Sequence, residues 1–182
     1  MSSSFTGICF FRRWKKVASA VDIKRLDENT VVFSDLDYFF YELLRQIPLA
    51  ALVEEGDAAH ARLYPSPSEK GDERMEEEWE EFVTPELKEL FQSSLETVRQ
   101  DLETIPSGQA QYLRDLHVPV SHLSAWINAL NQARLALAAR HEISEREIEG
   151  VLTENHIRTL AIFQIDFYGM VQERLMRELD GV

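Results

Sequence analysis

Two charged side chains lie within helical segments that are otherwise apolar. At about 100° per residue, Arg134 and His141 fall in the middle of one apolar side of the helix predicted over residues 122–141. The apolar residues of that side are Leu123, Ile127, Leu130 and Leu137. Asp166 lies within the run Ile162–Tyr168, which is apolar apart from Gln164. Because a buried charge is costly without a partner, we expect Arg134 and Asp166 to form a buried or half-buried ion pair across two packed helices.

This predicted pair has two interpretations. It can fix the register of two helices, and Asp166→Asn would then destabilise the fold by on the order of a few kcal/mol. It can instead belong to an enzyme site in which the arginine holds an anionic substrate, with Asn131 and His141 nearby. A closed helix interface favours the first interpretation, and a concave pocket favours the second.

Other signatures of catalysis are absent from the sequence. No G-x-S-x-G elbow, Gly-rich phosphate loop or dinucleotide fingerprint occurs. The five histidines lack the i, i+4 pairing of a helical metal motif, and Cys9 is the only cysteine. The acidic run Glu76–Glu81 is typical of a solvated helix face rather than a cation site. The sequence therefore predicts no catalytic residue, no metal site and no cofactor.

Charge is distributed unevenly along the chain. The net charge of −13 disfavours nucleic acid and anionic membranes, yet residues 1–26 carry six basic residues and one acid. Such a basic arm complements either the protein's own acidic surface or that of a partner, and DNA binding is the less favoured alternative. No apolar run reaches the roughly twenty residues of a membrane span, and the single cysteine suits a reducing compartment. We therefore expect a cytoplasmic protein.

Periodicity predicts a mainly α fold in one domain. Apolar, β-branched stretches at Ile8–Phe11, Val17–Ile23 and Thr30–Phe33 indicate a short N-terminal β-hairpin or meander. Residues 1–33 then form the β element and basic arm, and residues 34–182 form a compact bundle of five or six helices. Predicted helices cover about 35–53, 72–81, 84–105, 122–141, 144–152 and 155–179, with a loop near 60–71.

Local signals place the helix ends. Ser34 is the predicted cap of the first helix, and Pro48 should kink or divide that helix. Thr84 followed by a proline predicts a new helix start. In the acidic helix before it, Met75, Trp79 and Phe82 predict one apolar stripe.

Several of these residues also carry a resemblance. The segment Trp126–Leu137, with the sequence WINALNQARLAL, and the stretch Arg62–Pro65 resemble a bacterial family known as domain of unknown function twenty-seventeen. Further matching positions are Asp166, Gly169, Gln172, Glu173 and Leu175. Met170–Val171 stands where an aromatic-leucine pair usually follows the glycine. The resemblance implies a helical protein without an established activity. It also adds Gln172 to the candidate ligand or structural polar cluster, whose other members are Asn131, Arg134, His141 and Asp166. In some lineages the family's genes lie near that of the Clp protease adaptor of the N-end rule.

The sequence favours an interaction protein over an enzyme. We expect an adaptor or regulatory accessory factor, monomeric or homodimeric, that binds a protein partner through an apolar groove or its acidic face. One alternative is a small-molecule-binding protein or enzyme with a pocket at Arg134 and Asp166. The other is a DNA-associated regulator that uses the basic arm, whose binding would weaken steeply with salt.

Overall fold

The computed structural model describes residues 21–68, 72–105, 114–144 and 156–180. The basic arm through residue 20 and the predicted strand Ile8–Phe11 lie outside these ranges, as does the predicted short helix from residue 145 onward. The elements in chain order are β1 (Asp22–Arg25), β2 (Thr30–Leu36), α1 (Tyr38–Arg45), α2 (Ile47–Ala51), α3 (His60–Leu63), α4 (Glu73–Glu78), α5 (Thr84–Glu103), β3 (Arg114–Pro119), α6 (Leu123–Arg140) and α7 (His156–Asp180). The predicted mainly helical fold is confirmed, and α6 and α7 match their predicted bounds closely. No helix in the described ranges is long and apolar enough to cross a membrane.

The three strands form one antiparallel sheet in the order β1-β2-β3. Strands β1 and β2 are the predicted hairpin, whereas β3 was not predicted. Val118 lies opposite Val31, and Leu116 lies opposite Phe33, so the alternate residues of β3 are buried. A strand with only these two buried residues gives a weak signal, because a period of two needs more repeats to be recognised.

The outer edge of β1 is covered by α7. Arg174 donates a hydrogen bond to the carbonyl oxygen of Val21. The backbone N–H of Arg25 donates to Glu178 Oε2 at 3.1 Å. These side chains occupy backbone groups that an exposed sheet edge would offer to another strand.

The first helix begins later than Ser34 indicates. Ser34 lies in β2 opposite Asp22, so it is not the predicted cap. Asp37 caps α1 instead, accepting a hydrogen bond from the Phe40 backbone N–H at 2.9 Å. Pro48 lies in the first turn of α2, where its missing N–H breaks no helical bond, so the predicted division of this helix is confirmed.

Helices α4 and α5 form one rod joined by a π-helical turn, Trp79–Val83. Thr84 has helical backbone angles and donates its N–H to the Trp79 carbonyl, five residues earlier. Helix α5 therefore begins at Thr84, as predicted, but it continues directly from the π turn, and no side chain caps its start. A proline ring clashes with the carbonyl four residues before it in an α-helix, and the wider π turn relieves that clash at Pro85.

The π turn also changes which residues share a face. Its extra residue rotates Phe82 away from the line of Met75 and Trp79. Phe82 is 60% exposed and Met75 is 46% exposed, whereas Trp79 is half-buried. Of the three residues of the predicted apolar stripe, Trp79 is the one that is partly buried.

Helix α6 lies between the other elements and packs against α2, α3, α5 and α7. Ala129, Ala133 and Ala136 are fully buried, and such small side chains let neighbouring helices approach closely. Trp126 contacts Phe33 of the sheet with ring centroids 5.4 Å apart. The sheet and the helices thus share one contiguous core.

A buried carboxylate joins α5 to the beginning of α6. The Asp101 side chain is 8% exposed and accepts a hydrogen bond from Trp126 Nε1 at 2.8 Å. His122 Nδ1 lies 3.0 Å from Asp101 Oδ1, and it must carry the proton because a carboxylate only accepts. Sequence reasoning placed His122 at a helix start and gave it no partner.

We expect Asp101→Ala to lower the free energy of unfolding by about 3 kcal/mol, because it leaves the buried indole N–H of Trp126 without an acceptor. Asp101→Asn keeps one oxygen and should cost less. The exposed Glu77→Ala variant should stay within about 0.5 kcal/mol of the wild type. Urea unfolding checks all three, and equal losses at Asp101 and Glu77 would contradict the role of this carboxylate.

Candidate functional site

Arg134 of α6 lies against α7, but its partner differs from the predicted one. Its Nη1 donates to Gln172 Oε1 at 2.6 Å. Gln172 Nε2 in turn donates to the backbone carbonyl of Ile127 at 3.4 Å. Within the described ranges, no ion pair joins Arg134 to Asp166. The predicted ion pair is therefore wrong, and an amide oxygen takes the place of the carboxylate.

Gly169 explains this choice of partner. A Cβ atom at Gly169 would lie 3.3 Å from Cζ and Nε of Arg134, so the guanidinium packs directly on the backbone of α7. Helical side chains tilt toward the N-terminus. Gln172, one turn after Gly169, therefore leans back toward the guanidinium, while Asp166, one turn before it, leans away.

The remaining predicted residues do not converge with Arg134. Asn131 is exposed, and Asp166 is half-buried. His141 is half-buried and follows α6, where its backbone N–H bonds to the Leu137 carbonyl at 3.1 Å. Four clefts of 310 to 570 Å³ in the described part of the chain are lined by other residues. The tight packing at Arg134 favours the register-fixing interpretation.

One of these clefts combines three aromatic side chains with three carboxylates. It has a volume of about 570 Å³ and lies between α3, the loop after it and the rod of α4 and α5. We call it the acidic cleft. Its aromatic residues are His60, Tyr64 and Trp79, its carboxylates are Glu55, Glu76 and Glu80, and Lys88 also lines it.

Tyr64 is the centre of an aromatic cluster. The single turn of α3 brings His60 to a ring distance of 4.9 Å, and Phe91 of α5 lies at 5.7 Å. Lys88 Nζ lies over the Tyr64 ring, 5.7 Å from its centroid. Burial raises the pKa of the Tyr64 hydroxyl above its ordinary value.

Trp79 lines the cleft at the beginning of the π turn. Its Nε1 atom is buried and has no hydrogen-bond partner among the described residues. A buried donor without a partner costs about 1–3 kcal/mol. Single π turns within α-helices are frequent at functional sites.

The segment that carries Trp79 is the most acidic part of the chain. Residues 72–83 contain seven carboxylates and one basic residue, Arg74. Arg74 pairs with Glu78 at 3.0 Å, and Glu76 accepts a hydrogen bond from Ser66 Oγ at 3.1 Å. The other carboxylates create a negative potential beside the cleft. No group of three metal-binding side chains converges within the described ranges.

Arg140 of α6 holds the segment that leads into α3. Its Nε and Nη2 donate to Asp57 Oδ2 at 2.9 and 2.6 Å, and its Nη1 donates to the Ala50 carbonyl at 2.7 Å. Asp57 also accepts the backbone N–H of Ala59 at 2.9 Å. The hydrogen bonds from Arg140 and Ala59 lower the pKa of Asp57. This wall of the cleft is therefore anchored to the central helix.

Comparison with known proteins assigns a family. A family model described as a domain of unknown function, DUF2017, matches residues 20–179. The chain belongs to the DUF2017 family. No curated protein and no solved structure matches it. The matched region of this DUF2017 protein contains the acidic cleft. It also contains the contact of Arg134 with Gly169 and Gln172, which we call the Arg134 cluster.

Sequence reasoning missed the acidic cleft. The prolines and serines of residues 60–71 predict a loop, whereas residues 60–63 form a helical turn that brings His60 next to Tyr64. The usable signal was Trp79 inside an acidic run, since a large aromatic side chain there needs a partner surface. The sequence did not show which partner, because the cleft joins residues from 55 to 88 through tertiary contacts.

The Arg134 cluster predicts different effects for two neighbouring turns of α7. Gln172→Ala should lower the free energy of unfolding by about 2 kcal/mol, since it removes the acceptor of a half-buried guanidinium. Gly169→Ala should cost about 1–2 kcal/mol, because its methyl group displaces that guanidinium. Asp166→Asn should stay within about 0.5 kcal/mol. Urea unfolding of the three variants checks this order, and a larger loss for Asp166→Asn would contradict it.

The Asp57–Arg140 contact predicts a pH dependence of stability in this DUF2017 protein. The folded pKa of Asp57 lies below its unfolded value of about 4. Its contribution is therefore complete above that value and is lost as pH falls through the folded pKa. Asp57→Asn should lower the free energy of unfolding by about 2 kcal/mol at neutral pH. In urea unfolding at a series of pH values, the gap should shrink below about pH 4. A constant gap would contradict the pairing.

Proposed function

We propose that the protein is an interaction factor, with an adaptor or regulatory role, that binds a basic polypeptide segment of a partner protein in the acidic cleft. The observation that supports this most directly is the composition of the cleft. Three aromatic residues and three carboxylates line one concave surface on the most acidic segment of the chain.

The shape and chemistry of the cleft suit lysine and arginine side chains. A volume of about 570 Å³ accommodates a few residues of a peptide. Aromatic faces attract the cationic ends of these side chains and contact their apolar stems. Carboxylates accept charge-assisted hydrogen bonds from them. The cleft therefore matches both halves of a basic side chain.

The charge around the cleft favours a cationic partner over an anionic one. The exposed carboxylates of residues 72–83 repel phosphates and other anions. They also accelerate encounter with a basic partner and select against acidic ones. Aromatic residues at the centre of an interface usually contribute most of the binding free energy, and Trp79 and Tyr64 are the candidates for that role.

A fluorescein-labelled array of short peptides rich in Arg and Lys tests this function. We expect peptides from this array to bind the full-length protein with an affinity that falls as salt rises. The Glu76→Lys, Glu80→Lys double variant should weaken binding at least about tenfold, because it reverses two carboxylates of the cleft. Fluorescence anisotropy measures both effects.

The control is a double variant with the same change in net charge at distant exposed positions, Glu28→Lys with Asp180→Lys. It should weaken binding much less than the cleft variant. Equal weakening by the two variants, with both folded by circular dichroism, would show that net charge rather than the cleft attracts the peptide. Absence of any binding by the wild-type protein would overturn the proposed function.

A further inference from the structure

Lys88 is the only Lys or Arg among the described residues that line the acidic cleft. It is exposed, one helical turn after Thr84, and its Nζ lies over the Tyr64 ring at 5.7 Å. Although three carboxylates line the same cleft, Lys88 forms no ion pair within the described ranges. Its ammonium group is thus placed by an aromatic face and not by a carboxylate.

This placement opposes the binding of another cation. An ammonium over Tyr64 occupies the ring face that a basic ligand would use, and its charge offsets part of the negative potential of the cleft. The contact is also easy to break, because an exposed cation–π contact is weak and a lysine side chain has a long, flexible stem. Lys88 can therefore move away without any change in the backbone.

The orphan donor of Trp79 defines a second requirement. Its buried Nε1 lacks an acceptor among the described residues, and a peptide carbonyl oxygen is the acceptor that every polypeptide supplies. An extended peptide presents carbonyls and side chains at regular intervals along its length. A single segment can therefore place one carbonyl at Trp79 and one side chain at Tyr64.

We propose that Lys88 is a built-in competitor for the ligand's cation and sets the selectivity of the cleft. On binding, an Arg or Lys side chain of an extended partner segment displaces Lys88 from the Tyr64 ring, and a backbone carbonyl of that segment accepts a hydrogen bond from Trp79 Nε1. This inference rests on the proposed function and assigns the two subsites through which the cleft recognises a basic segment.

Substitution of Lys88 tests the competition directly. Lys88→Met keeps a stem of similar length and removes the charge, so it should tighten binding of a basic peptide roughly fivefold. Lys88→Arg should bind about as the wild type does. Lys24→Met removes the same charge outside the cleft and should leave the affinity nearly unchanged. Fluorescence anisotropy with the tightest Arg- or Lys-containing peptide of the array gives all four affinities.

Changes on the peptide locate the subsite. Replacing each basic residue of the peptide by glutamine should identify one position at which the gain from Lys88→Met disappears. Trp79→Phe keeps the aromatic ring but removes the N–H, and it should weaken binding roughly fivefold. The two substitutions thus measure separately how the displacement of Lys88 and the hydrogen bond from Trp79 affect the affinity for the peptide.

The outcomes separate this inference from the proposed function. If Lys88→Met fails to tighten binding while the Glu76→Lys, Glu80→Lys variant still weakens it, Lys88 is no competitor and the proposed function stands. If Lys88→Met tightens binding while Lys24→Met leaves it unchanged, the competition is supported. If the wild-type protein binds no peptide of the array, the proposed function is overturned, and the inference that rests on it is overturned as well.

Discussion

Helix α6 packs against α2, α3, α5 and α7, so a polar side chain on a face that these elements cover needs a partner within the protein. Three polar contacts meet this requirement along its length. Near its beginning, Trp126 donates to Asp101 of α5. In its middle, Arg134 donates to Gln172 of α7. At its end, Arg140 pairs with Asp57 before α3. Each contact fixes one neighbouring element, because a buried group that loses its partner costs more than the contact itself contributes.

These contacts also determine the shape of the acidic cleft. One wall, α3, is held by Arg140 through Asp57. The opposite wall is the rod of α4 and α5, whose distant end is fixed to α6 by Asp101. Between these anchors lies the π turn, where Pro85 prevents regular α-helical bonding. The least regular part of the rod is therefore the part that lines the cleft.

Charged residues have different roles in the interior and on the surface of this protein. Arg134 and Arg140 serve the interior, and their partners are other residues of the same chain. The carboxylates of residues 72–83 are mostly exposed and greatly outnumber the basic residues beside them. Such unbalanced charge destabilises a compact protein slightly, but it attracts an oppositely charged partner over a distance set by the salt concentration.

The sequence by itself determined the elements whose signals are local. Apolar spacing over many turns located α6 and α7, alternation located the N-terminal hairpin, and Pro48 divided the first helix, because each signal depends on residues within a few positions of one another. Periodicity also showed correctly that Arg134 faces the interior. The family resemblance on Trp126–Leu137 was confirmed by the match to DUF2017 over residues 20–179.

Only the tertiary structure decided which residues meet. Periodicity gives the face on which a side chain lies but not the level at which a neighbouring helix crosses it, so it could not distinguish Asp166 from Gln172 as the partner of Arg134. The same limit hid the contact of Asp101 with Trp126, which joins residues 25 positions apart. Strand β3 was missed because its pairing with β2, and not its own sequence, makes it a strand. The acidic cleft likewise exists only where α3 meets the rod of α4 and α5, and no segment of the chain contains it alone.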